Sequence, residues 1–350
     1  MVFLGTVICM TSSNWMLIWV GLEINLIGFA TLMICSGSKG CSEGGIKYFI
    51  IQSLGSVLVL ISVILSEWGL WWQSILLNSW LMMSDSIINY LKMVSFFIFG
   101  VGLLLKIGSF PFYSWVPQVV SMVDSWSLCF ILLTWQKLAP LIIIVYTFSN
   151  FEALGVGFLL ILVGALSGLV GGICGMGETR ISNLLAYSSI GHTGWLIFSC
   201  SHGFGVFLSY FFVYFFVSLI VFMILWKMGT THMMSLFDLN KNSFVFWVFF
   251  ICVLSLGGLP PFLGFLGKWL VMVESVKCGM WMEMSILLMG SLFSIFYYLK
   301  LGILVLMSKD STLGGEMSSS SWSNSFLFIF VLTYLFGVNL FGVSICLMFV

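Results

Sequence analysis

Of 350 residues, 61% are hydrophobic and 7% charged, with mean hydropathy +1.18 and zero formal net charge from 12 basic and 12 acidic side chains. A soluble domain carries about 25% charged residues, so this chain cannot clothe a water-soluble globule, and its neutral balance offers no basic patch for nucleic acid. What remains is an all-α polytopic membrane protein, read as one membrane domain over residues 1–350.

A membrane-crossing helix needs about 20 apolar residues. Taken in chain order, the apolar runs predict spans near residues 1–12, 15–35, 48–65, 90–111, 128–146, 154–171, 184–200, 204–226, 244–265, 284–307 and 326–349. The first is short and has no basic n-region, so no cleavable signal peptide is evident. Residues 36–45 (SGSKGCSEGG) read as a polar loop, and Glu67–Asn89, rich in tryptophan, as an interfacial segment. Phe112–Val123 reads as a broken continuation of the fourth span. The glycine-rich 171–180 (GGICGMGETR) reads as a turn without G-x-G-x-x-G spacing or a preceding strand, hence no phosphate loop. The ninth span is interrupted at Gly257–Gly258 and Pro260–Pro261, and a serine run, Ser318–Ser321, precedes the last.

These spans put the termini on opposite sides. Lys39, Lys47, Arg180, Lys227, Lys241 and Lys309 fall on the N-terminal side, against Lys92 and Lys277 on the other. The positive-inside rule therefore places the N-terminus inside and the C-terminus outside. An internal echo, LKIGSFPF (105–112) and LSLGGLPP (254–261), aligns Gly108 with Gly257 and Pro111 with Pro260. Paired interrupted helices are a mark of transporter repeats.

Most charges sit in loops or at helix ends. Glu23, Lys106, Lys137 and Lys268 do not, and each costs at least about 2.5–3.5 kcal/mol at mid-membrane unless paired or hydrated. The plainer alternative is a helix–helix salt bridge or a snorkelling lysine, which suits Lys300 near its helix end. At an effective dielectric of ~20 and ~8 Å, Glu23 and Lys106 would interact by about 2 kcal/mol. A row of lysines headed by one glutamate is thus an electrostatically gated proton path whose members titrate together. Pro111, Pro117, Pro260 and Pro261 are expected to unwind helix at depth and admit water. His192, among Ser188, Ser189 and Thr193, is a possible proton relay or a hydrogen-bonded structural histidine. Gln52 and Gln136 read as helix–helix glue; His202 and His232 carry no signal. The nine cysteines form no CxxC or Cys/His cluster, which argues against zinc or iron–sulfur sites. No metal or cofactor site is expected in this chain.

Six blocks in order, SSNWMLIWVGLEIN (12–25), KYFIIQSLGSVL (47–58), KIGSFPFYSWVP (106–117), LTWQKLAP (133–140), LLAYSSIGHTGW (184–195) and LSLGGLPPFLGFLGKW (254–269), resemble the subunit 2 family of mitochondrial NADH dehydrogenase (NADH:ubiquinone oxidoreductase, respiratory complex I). The resemblance covers most of 12–270 and fades after about Lys300. It implies an antiporter-like fold with 11 helices. It also implies proton translocation through Glu23, Lys106, Lys137 and Lys268, and a place in the mitochondrial inner membrane with the N-terminus on the matrix side. The partners it implies are lipid and the other membrane and accessory subunits of complex I. NADH, flavin, iron–sulfur clusters and ubiquinone would be bound by those other subunits, with no redox chemistry here. The chain departs from the family at Tyr113, where relatives often carry histidine, and over Gly175–Glu178. Two alternatives stay open: a free-standing cation/proton antiporter, and a scaffold whose channel is vestigial.

Overall fold

A computed structural model describes residues 1–78, 85–153, 155–229, 243–260 and 262–307, with Gly337 alone beyond them. Among these residues every regular element is helical: α1 (Val2–Thr11), α2 (Trp15–Cys35), α3 (Lys39–Asn78), α4 (Asp85–Ile107), α5 (Trp115–Val120), α6 (Trp126–Phe130), a π-helical turn (Ile131–Trp135), α7 (Gln136–Ala153), α8 (Gly157–Gly175), α9 (Ile181–Cys200), α10 (Phe204–Met228), α11 (Ser243–Gly257), α12 (Leu263–Lys277) and α13 (Trp281–Met307). Among the described residues, seven helical stretches are long and apolar enough to cross a membrane, and Val2–Thr11 and Trp247–Gly257 are shorter apolar helices. Leu54, Phe97, Phe158, Phe212, Phe216 and Phe296 are exposed, as expected of a surface that faces lipid.

Several sequence expectations change. The loop expected over 36–45 shrinks, because the Cys41 amide donates to Ser38 Oγ at 3.2 Å and so caps α3 from Lys39 onward. The supposed interfacial segment continues α3 as helix to Asn78, giving 40 residues. That is about 60 Å of helix, twice the ~30 Å hydrocarbon layer. The glycines of the supposed turn at 171–175 lie inside α8. There they let helices touch: a methyl on Gly171 would come 2.7 Å from the Tyr187 carbonyl oxygen of α9, the small-residue contact typical of membrane helices. Pro117 unwinds nothing, since it sits in the first turn of α5, where its missing N–H has no partner to lose. Pro261, Lys241, Lys309, His232, Ser318–Ser321 and the span expected at 326–349 lie outside the described residues.

Two helix interruptions organise the interior. After α4 the chain turns at Gly108, φ +74°. The Gly108 and Ser109 amides both donate to the Leu104 carbonyl, at 3.0 and 3.3 Å. After α11 it turns at Gly258, φ +81°, where the Gly258 amide donates to Ser255 at 2.9 Å and Leu259 to Leu254 at 3.5 Å. Both are glycine-ended stops of the left-handed type. The ninth span expected at 244–265 is therefore two helices, α11 and α12. The echo also shifts by one residue, because Gly108 corresponds to Gly258 rather than Gly257.

At the centre stands α9. Its sequence, ISNLLAYSSIGHTGWLIFSC, is polar for a membrane helix, yet nearly all of it is buried, including Ser188, Ser189, His192 and Thr193. It packs against α5, α7, α8, α10, α12 and α13. Protein on all sides lets it keep polar side chains that lipid would reject.

Candidate functional site

The residues singled out in the sequence converge on the interior. Lys106 (6% exposed), Lys137 (3%), Lys268 (5%) and His192 (9%) are all buried, and Glu23 is half-buried. Lys300 is exposed, as snorkelling requires.

Lys106 sits in the last turn of α4. Its backbone carbonyl accepts from Gln52 Nε2 of α3 at 3.0 Å, and its stem passes close to Gly55, where a methyl would lie 2.9 Å from Cγ. Glycine at 55 is thus what admits the lysine between α3 and α4. The Glu23 carboxylate of α2 acts on its ammonium, as does Cys9. Glu23 and Lys106 make no contact within 4.0 Å; among the described residues the ion pair at that range is Lys277–Glu274, at 2.7 Å. The coupling expected between Glu23 and Lys106 is present at longer range.

Lys137 follows the π turn. The Gln136 amide donates to the Ile131 carbonyl, one residue further back than in an α-helix, and extra residues of this kind recur at functional sites. The freed Leu133 carbonyl accepts from the Tyr214 hydroxyl of α10 at 3.2 Å. Pro140, inside α7, denies the Gln136 carbonyl its usual donor. Between these two irregularities the Lys137 ammonium points to α9 and donates to Ser189 Oγ at 3.0 Å and to the Ser189 carbonyl at 3.2 Å.

His192 lies one turn along α9 from Ser189. Its Nδ1 is 2.9 Å from the Tyr210 hydroxyl, its ring centroid is 4.7 Å from that of Tyr214, and it hydrogen-bonds the backbone of Leu256 in α11. Both Lys137 and Lys268 act on its charge, so the ring is within electrostatic reach of both lysines. It shares a cavity of about 10 Å³ with Lys268, Ser188, Ser291, Ser294 and Tyr297, close to what one water occupies. Tyr297 and Tyr298 have buried hydroxyls without well-formed hydrogen bonds, with Ser294 facing the first and Ser188 the second.

Lys268 belongs to α12 but reaches back across the interruption. Its ammonium donates to the Gly257 carbonyl at 2.8 Å and lies 5.9 Å from the centroid of the Trp195 ring. The end of α11 presents the Gly257 carbonyl and the negative pole of its dipole, so the lysine is held by a helix end instead of a carboxylate.

The result is a row of five side chains on five helices, Glu23 half-buried and Lys106, Lys137, His192 and Lys268 buried. Such a row can pass positive charge laterally, each step sensing the last. Tyr210, Tyr214, Tyr48 and Asn25, which complete it, gave no signal in the sequence because tyrosines in a phenylalanine-rich run read as packing. Gln52 and Gln136 both act as helix–helix glue, the Gln136 side chain of α7 accepting from the Tyr48 hydroxyl of α3 at 3.1 Å. Tyr113 lies off the row, facing Cys174. Among the described residues no cluster of three or more His, Cys, Asp or Glu side chains is placed to hold a metal.

The chain is similar to known proteins over most of its length. The family described as "NADH:quinone oxidoreductase/Mrp antiporter, TM" matches residues 12–294. NADH-ubiquinone oxidoreductase chain 2 of Myxine glutinosa is 32% identical over 98% of this chain and 94% of that protein. The protein of the same name from Locusta migratoria is 30% identical over 89% and 85%. A chain of respiratory complex I from Thermus thermophilus superposes with a TM-score of 0.77 at 23% identity, covering 97% of this chain and 76% of that one, which shows the shared fold.

Proposed function

This chain belongs to the NADH:quinone oxidoreductase/Mrp antiporter membrane family, and from that premise we propose that it is a proton-translocating membrane subunit of respiratory complex I. It would lie in the mitochondrial inner membrane, N-terminus to the matrix, among lipid and the other membrane and accessory subunits. NADH oxidation and ubiquinone reduction occur in those other subunits, which hold the flavin, iron–sulfur clusters and quinone. The observation that carries the reading is the placement of Lys106, Lys137, His192 and Lys268 in the interior on four helices, with Glu23 of α2 acting on the first and both inner lysines acting on the histidine. Single unpaired lysines in a mere scaffold would be selected away by their insertion cost.

In this reading, movement of the Glu23 carboxylate relative to Lys106 changes how strongly the ammonium is held. A proton leaving Lys106 relieves repulsion on Lys137, and the change passes through His192 to Lys268. The Ser189 hydroxyl and the Gly257 carbonyl are the acceptors that hold the two inner ammonium groups when charged. Against a proton-motive force of ~200 mV each proton needs about 4.6 kcal/mol. The row supplies no energy of its own, so neighbouring subunits must move the glutamate or the field it feels.

Lys137→Ala in the assembled complex tests this. Proton transfer per electron should fall while NADH oxidation capacity and assembly persist. Assembled mutant complex with an unchanged proton-to-electron ratio would overturn it. Migration of the chain away from NADH dehydrogenase activity on a native gel would favour a free-standing cation/proton antiporter instead.

A further inference from the structure

Beside Lys106, between α2, α3, α4 and α7, lies a second small cavity of about 10 Å³, lined by Asn25, Tyr48, Gln52, Lys106, Gln136 and Pro140 together with Leu22 and Leu26. Two of its buried polar atoms have no hydrogen-bond partner in the protein: Asn25 Oδ1, an acceptor, and Gln136 Nε2, a donor. An unsatisfied buried polar atom costs about 1–3 kcal/mol, so a pair of them around one space demands an explanation.

The orientation of Gln136 is set from the far side. The Tyr48 hydroxyl donates to Gln136 Oε1 at 3.1 Å, which leaves Nε2 for the cavity. Pro140 also lines the space and cannot donate to the Gln136 carbonyl. Around one water-sized volume there are thus an acceptor, a donor and a lysine, enough to hold a water, which needs two to four polar partners and at least about 10–15 Å³.

We infer that this cavity is a one-water site that solvates the Lys106 amine, with Asn25 and Gln136 as its positioning residues. The inference rests on the proposed role of Lys106 in proton transfer. A water that accepts from Gln136 Nε2 and donates to Asn25 Oδ1 has one lone pair and one hydrogen to spare. It accepts from the ammonium when Lys106 is charged and, by turning, donates to the amine when it is neutral. Both states of the lysine are then solvated without moving a side chain. Apolar residues at 25 and 136 would leave the charged state with Glu23 alone.

The experiment uses the assembled complex carrying Asn25→Ala, Gln136→Met and the pair, with Lys137→Ala alongside. High-resolution electron density of the unmodified complex should show one water within hydrogen-bonding distance of Asn25 and Gln136. Each single variant should slow proton transfer about five-fold, the rate equivalent of one hydrogen bond. The double variant should cost no more than either single change, because both hold the same water. Additive losses, which purely structural roles would give, or a dry cavity, or unchanged coupling in both single variants while Lys137→Ala is impaired, each overturn the water site alone. Unchanged coupling in Lys137→Ala instead removes the proton-transfer reading beneath it.

Discussion

The interruptions after α4 and after α11 end their helices the same way and use their lysines differently. Each stops on a glycine of positive φ, +74° at Gly108 and +81° at Gly258, with amides folded back onto the preceding turn. Lys106 precedes its stop, and its ammonium answers to the Glu23 carboxylate of another helix. Lys268 follows its stop and donates to the carbonyl of Gly257, on the helix that has just ended. A movable carboxylate and a fixed helix end both stabilise a buried cation, but only the carboxylate can be withdrawn. In the proposed proton path the α4 end would receive a signal, and the α11 end would hold a charge in place.

The glycines give the most severe way to break that contrast. A methyl on Gly108 runs into Val116 Cγ2 and lies 3.1 Å from the Trp115 ring. Val116 is fully buried and Trp115 nearly so, so neither yields. Left-handed strain of about 1–2 kcal/mol then adds to overpacking of about 1–3 kcal/mol. Gly108→Ala is expected to cost about 3 kcal/mol or more and to lower the amount of assembled complex on a native gel. A methyl on Gly258 meets instead the Lys268 side chain, 2.7 Å from Nζ, whose flexible end can swing away. Gly258→Ala carries the same left-handed strain of about 1–2 kcal/mol without the rigid overpacking, so it should assemble better than Gly108→Ala yet lose coupling as the lysine leaves the Gly257 carbonyl. Equal assembly defects in the two variants would dissolve the distinction.

Next in size is the carboxylate. Glu23→Gln keeps shape and hydrogen-bonding capacity while removing the charge. An interaction of about 2 kcal/mol at ~8 Å and an effective dielectric of ~20 corresponds to a loss in the rate of proton transfer of about 30-fold, with the α11–α12 end untouched. Coupling that survives Glu23→Gln at full rate would mean that Lys106 does not read Glu23.

The same contrast separates what the sequence reveals from what it hides. Glu23, Lys106, Lys137 and Lys268 stood out because a charge in an apolar run is expensive wherever it falls, and the two stops stood out because glycine and proline are local signals. The helical class followed from hydropathy alone. Partners that depend on three-dimensional crossing did not show. Ser189 looks like any helix serine until α7 turns Lys137 onto it, and that turn needs a π-helical residue with no sequence mark. Tyr210 and Tyr214 disappear among phenylalanines, and Asn25 matters only because α2 crosses α7 near Pro140. The extension of α3 to Asn78 was missed because tryptophan, serine and glutamine weaken an apolar pattern without preventing helix. The one-residue shift of the internal echo arose because two adjacent glycines, Gly257 and Gly258, offer equal matches by letter, whereas only Gly258 takes the left-handed turn.

The smallest expected effect sharpens the description of the α11 end. Lys268 has two neutral supports, the Gly257 carbonyl at 2.8 Å and the Trp195 ring at 5.9 Å. A cation over an aromatic face is worth about 0.5–1 kcal/mol at exposed sites and about 2 kcal/mol or more when desolvated, but at 5.9 Å this ring is near the outer limit of that attraction. Trp195→Leu keeps an apolar side chain against α10 and should reduce coupling only about two- to five-fold, comparable to one modest interaction. Trp195 also stacks on Tyr210, centroids 6.4 Å apart, and Tyr210 holds His192. Tyr210→Phe therefore serves as the control, removing the histidine's hydroxyl partner while leaving the Lys268 contacts alone. If the fixed helix end is what retains Lys268, Trp195→Leu must be milder than Gly258→Ala in the same coupling assay. The reverse order would transfer the lysine's hold from the helix end to the ring.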